Sequence, residues 1–145
     1  MTTPFDEVAP RLSPDGGWIA HGSDESGTYD ICLRPFPGPG AQIPVSVCGG
    51  NSPVWSHDSR RVFHLNADQL IAASVETNPS FSVTAREVLF AGNYLLNLGH
   101  ATFDSSRDGK SLLMLRLVGR NHEEIVWVHN WTAELRARAK GTGQR

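Results

Sequence analysis

The pattern Ser-x-Asp-(Gly/Ser), followed by a short apolar stretch, occurs three times in the chain: Ser13-Pro14-Asp15-Gly16, Ser56-His57-Asp58-Ser59 and Ser106-Arg107-Asp108-Gly109. The serines are 43 and 50 residues apart, a recurrence of about 40 to 50 residues being that of a four-stranded propeller blade. The flanking columns recur as well. Three residues before the serine stand Pro10, Pro53 and Phe103, and six and seven residues after it stand Ile19-Ala20, Val62-Phe63 and Leu112-Leu113. An aspartate followed by glycine between two apolar runs marks a hairpin, because the carboxylate accepts a backbone hydrogen bond two residues on and glycine takes positive φ at no steric cost. Each motif therefore predicts the tight turn between the first two strands of a blade. Its aspartate is read as turn chemistry rather than as a catalytic or metal-binding group.

Composition narrows the alternatives. A chain of 145 residues, 39% hydrophobic, holds one ordinary core and no more. Its 14 Gly and nine Pro suit many short strands joined by turns. A net charge of −2 without a long basic run argues against a nucleic-acid partner. The most apolar stretch, Leu112 to Val118, is interrupted by Arg116 and is far shorter than the roughly 20 residues of a membrane helix. The amino end, Met1 to Glu7, has neither a basic nor an apolar segment, so a cytoplasmic location is the expectation. Cys32 and Cys48 match no redox or zinc spacing, and Cys32 alternates within a strand-like run as a small buried apolar residue would.

Strands are predicted in three units. The first has residues 9–12, 18–23, 29–36 and 42–47; the second 53–55, 61–66, 69–75 and 87–91; the third 101–104, 111–117 and 124–129, with its fourth strand missing. Asn130 caps a predicted short helix over residues 131–140, ended by Gly141. Its Arg136, Arg138 and Lys140 suit the carboxyl end of the helix dipole. The whole is read as one all-β domain, residues 1–145, with blades over approximately 9–50, 51–99 and 100–130.

Ser13 to Ala20 and the following Gly22 to Ile31 resemble the TolB-type β-propeller repeat, a relative of WD-repeat blades. The stretches Leu33 to Gly40, Pro53 to Ser56 and Asn130 to Leu135 resemble the carboxyl-terminal propeller region found after some bacterial serine/threonine protein kinase domains. The second and third motifs depart from the repeat at His57, Ser59 and Arg107. This resemblance implies a module that binds proteins or small ligands without chemistry of its own. No Gly-rich phosphate loop, His-Arg-Asp or Asp-Phe-Gly motif is present, so the chain is not itself a kinase.

Propellers close with about four to eight blades, so three units imply half of a six-bladed ring. A second copy related by a twofold axis, or the remaining part of a larger propeller, would complete it. In that arrangement the amino-terminal segment is available as an outer strand. Three sheets packed into an open all-β domain are the structural alternative.

The loops between second and third strands, and between blades, share one end of a propeller. Asp24, Glu25, Asn51, Ser52, Asn97 and His100 are accordingly the candidate ligand-binding residues. No catalytic residue, metal site or cofactor is assigned. The six histidines form no His-Glu-x-x-His array, and no Gly-x-Ser-x-Gly elbow is present. The alternative is a propeller hydrolase or lyase with a small substrate at Asn51, Asn97 and His100. Trp18, Trp55, Phe63 and Trp127 are expected to fill the space between blades, unless rings are exposed together on one face as a stacking platform.

Overall fold

The computed structural model describes residues 4–77, 80–97, 99–118 and 122–131. Eleven strands are described: β1 (Glu7–Leu12), β2 (Trp18–Ser23), β3 (Asp30–Pro35), β4 (Ile43–Pro44), β5 (Asn51–Trp55), β6 (Arg61–Asn66), β7 (Gln69–Glu76), β8 (Ser82–Ala91), β9 (Phe103–Ser105), β10 (Ser111–Val118) and β11 (His122–His129). They form three antiparallel sheets in simple up-and-down order, β1-β2-β3-β4, β5-β6-β7-β8 and β9-β10-β11. The predicted helix lies outside the described residues, apart from Trp131. No helix among the described residues is long and apolar enough to cross a membrane.

All three motif turns close in the same way. The serine Oγ donates to the aspartate Oδ1 at 2.5, 2.6 and 2.6 Å, and accepts from the amide of Trp18, Arg61 or Ser111 at 2.9 Å. The same carboxylate oxygen accepts the amide two residues on, from Gly17, Arg60 or Lys110. The fourth position is left-handed in each turn, with φ of 74° at Gly16, 58° at Ser59 and 67° at Gly109. Glycine suits it because an L side chain is strained there.

The inner strands β1, β5 and β9 lie side by side and the other strands radiate from them. A bulge four residues before the serine recurs in the first two, where Ala9 and Ser52 have φ of 50° and 56°. The structure corrects the sequence reading here. Asn51 and Ser52 belong to β5 rather than to a loop. Likewise, residues 7 and 8 are already paired with Ser23 and Gly22 inside β1, and so are not a free outer strand.

Two apolar layers separate the three sheets. Ala20, Ile31, Leu33 and Val45 of the first sheet meet Trp55, Val62, Ala73 and Val75 of the second. The opposite face of the second sheet, through Val54, Phe63, Leu65, Leu70 and Ala72, meets Phe103, Leu112 and Met114 of the third. Alternation along the strands explains the sorting: Val62 and Phe63 are neighbours in β6, yet each enters a different layer. Trp131 extends the second layer, its ring meeting Phe63 edge-on at 5.7 Å. The third sheet has a three-residue inner strand, which residues 93–95 prolong by hydrogen bonds to Leu115 and Leu117.

Candidate functional site

The sequence-predicted residues divide between two places. Ser52, 1% exposed, donates its hydroxyl to the carbonyls of Asn97 (3.0 Å) and His100 (3.4 Å), while the Asn97 side chain accepts the amides of Gly99 and His100. The bulge at Ser52 thus ties Asn97 and His100 to the start of β5, bringing Asn51, Asn97 and His100 into one neighbourhood. Asp24 and Glu25 are held elsewhere. The Asp24 carboxylate accepts the Asp6 amide at 2.9 Å, and Glu25 accepts from the Gln42 side-chain amide at 3.0 Å. Beside them Asp30 ties three segments together, accepting from Ser26 (2.6 Å), Ser46 (2.7 Å) and Gly49 (2.9 Å). Burial opposes its charge, but these donors prevail and hold its pKa below the ordinary value.

A cleft at the other end of the inner strands was not read from the sequence. It has a volume of about 360 Å³, and its walls are Arg11, Leu12 and Pro14 from the first unit, Val54, Trp55 and His57 from the second, and Ala101, Phe103 and Asp104 from the third. The size falls in the range of about 300 to 1,000 Å³ typical of small-molecule sites. Arg11 is two residues before its motif serine and His57 is one after, so the repeat itself delivers a polar group from each of the first two sheets.

Hydrogen bonds between sheets fix this geometry. The Trp55 indole donates to the Arg11 carbonyl at 3.1 Å, Ser105 donates to the Trp55 carbonyl at 3.4 Å, and His57 Nε2 lies 3.2 Å from the Ser105 carbonyl oxygen. A carbonyl oxygen only accepts, so His57 donates this bond through Nε2. The cleft thus sets Arg11 and His57 in a lining of mixed polar and apolar surface, while the Asp104 side chain shares its row with Leu113 and Trp127 on the outer face of the third sheet. Among the described residues no group of three His, Cys, Asp or Glu side chains is arranged to hold a metal ion.

The aromatic residues also need one correction. Trp55 and Phe63 are buried between sheets as expected, but Trp127 is 71% exposed on the outer face of the third sheet. Both cysteines are free, Cys32 buried and Cys48 exposed.

No family model and no curated protein sequence matches the chain. Solved structures do. An oligogalacturonate lyase from Vibrio parahaemolyticus aligns with 79% of this chain and 31% of its own at TM-score 0.60 and 16% identity. A putative TolB from Agrobacterium tumefaciens aligns with 90% of this chain and 47% of its own at TM-score 0.62 and 14% identity. A chain of a nidogen/laminin complex aligns with 85% of this one and 44% of its own at TM-score 0.61 and 15% identity. The chain therefore spans about a third to a half of the structures it matches. At such identities the likeness is one of architecture, and the three radial sheets have the TolB-like β-propeller fold.

Proposed function

We propose that the chain is a non-catalytic recognition module that takes a small ligand or a short peptide segment of a protein partner in the cleft between β1, β5 and β9. The observation that carries this reading is the convergence of residues from all three sheets, Arg11, His57 and Phe103 among them, on one cleft. An arginine and an imidazole beside apolar side chains favour a ligand bearing a carboxylate, such as a peptide carboxyl terminus. The exposed outer face of the third sheet is covered by a second chain or by further blades. The resemblance to regions that follow bacterial kinase domains suits such a module, since a tethered recognition domain needs no chemistry of its own.

The test is a titration of the isotopically labelled chain with small carboxylates, amines and short peptides, followed by NMR. Shifts are expected at Arg11, His57 and Phe103, with affinity reduced roughly tenfold or more in Arg11→Ala and His57→Ala. Shifts confined to Asn51, Asn97 and His100 would move the site to the other end of the inner strands. No response to any probe would remove the reading.

One observation favours the enzyme alternative: a structure of similar fold is an oligogalacturonate lyase. Incubation with oligogalacturonate, with and without divalent cations, addresses it. Appearance of an unsaturated product would replace the recognition module by a lyase, with Asn51, Asn97 and His100 as the first residues to substitute.

A further inference from the structure

The two outer faces of the stack differ in chemistry. On the first sheet, His21 and Cys32 are already covered by a polar lattice: Glu7 Oε2 lies 2.7 Å from His21 Nε2, and Arg34 donates to Gln42 at 2.6 Å and lies 3.6 Å from Glu7. Such a face is finished against water, as terminal repeats usually are. The third sheet is not. Leu113, Ile125 and Trp127 are 50, 69 and 71% exposed on one face, with half-buried Leu115 between them. Leu113 stands seven residues after its motif serine, the position at which Ala20 and Phe63 pack against the next sheet.

We propose that this face is the interface of a homodimer, in which the third sheets of two copies pack on each other about a twofold axis. The order of groups along β11 supports the choice of partner. Alternate residues on the exposed face read Glu123, Ile125, Trp127, His129. A twofold axis crossing the strand at its middle places Glu123 over His129 of the second copy at both ends, and Ile125 over Trp127 between them. The patch is therefore complementary to itself, carboxylate over imidazole at both ends and apolar over apolar between them, as an isologous contact requires. Packing it instead on the first sheet of another copy, as a six-bladed ring demands, would bury the ion pairs around Glu7 and Arg34 beneath leucine and tryptophan. Desolvating such pairs opposes that contact. The inference rests on the assembly half of the function proposed above and is independent of the cleft ligand.

Sedimentation of the full chain over a range of concentrations tests it. A dimer is expected whose dissociation constant rises roughly 100-fold or more in Trp127→Glu, because a central aromatic is lost twice per interface. Single Glu123→Lys and His129→Glu variants each weaken the dimer, and the double variant restores it. Arg34→Glu leaves it unchanged. A wild-type chain that stays monomeric, with Trp127 solvent-exposed, overturns the dimer and leaves further blades as the cover of this face. A dimer broken by Arg34→Glu but not by Trp127→Glu or Glu123→Lys overturns this interface alone and leaves the ring. If Trp127→Glu does not fold, the charge exchange still decides.

Discussion

One hydroxyl and one carboxylate close each motif turn, and their protonation state matters because the carboxylate only accepts. The Ser13 hydroxyl and the Gly17 amide hold the Asp15 pKa below its ordinary value. At Asp58 burial works the other way, yet Ser56 and the Arg60 amide outweigh it. Folded pKa values below unfolded ones contribute stability that is complete above the unfolded pKa and lost as pH falls through the folded one. Asp58→Ala, which removes two hydrogen bonds from a half-buried turn, is expected to destabilise the chain by about 1–3 kcal/mol in urea at neutral pH. The difference from wild type should shrink in strong acid, where wild-type Asp58 is protonated.

His64 presents the opposite kind of residue. It is 1% exposed at the junction of the first two sheets, neither ring nitrogen has a hydrogen-bond partner, and burial lowers its pKa from 6.5 to about 4. Neutral when folded and charged when unfolded, it contributes stability above pH 6.5 that is lost as pH falls towards 4, to a limit of about 3 kcal/mol. The third sheet has Met114 at the corresponding place, eight residues after its serine and 1% exposed. His64→Met is therefore expected to raise stability at pH 5 and to flatten the profile between pH 6.5 and 4. A slope equal to that of wild type would place the titration elsewhere.

At the scale of elements, equivalent repeat positions have different worth according to what lies opposite. Phe63 is 1% exposed and enclosed by the third sheet and Trp131, so Phe63→Ala should cost about 3–5 kcal/mol in denaturant unfolding. Leu113→Ala, at the same place in the third unit, should cost less than about 1 kcal/mol in the monomer. This contrast marks the limit of what the sequence discloses. The motif and its apolar columns locate the turns, the order of strands and the two layers, because those are local or repeat with the period. They do not show which sheet lacks a neighbour, so Trp127 reads as core. The bulge at Ser52 draws Asn51 into β5, although neither residue favours a strand, because pairing with β6 outweighs local preference. The cleft was illegible for a related reason. Arg11 and His57 are far apart along the chain and occupy unremarked places beside the motif; only the stacking of β1, β5 and β9 brings them to one opening.

For the whole molecule, everything depends on three sheets standing around one axis with their inner strands adjacent. That arrangement creates the cleft, divides Val62 from Phe63 and leaves one outer face polar and the other apolar. Nuclear Overhauser contacts between sheets test it directly, at positions where no contact within a sheet interferes. Cross-peaks are expected from the Trp55 indole proton to Arg11 and from the His57 ring to Ser105, joining the first sheet to the second and the second to the third. Strong contacts within each sheet, with neither of these between them, would contradict it.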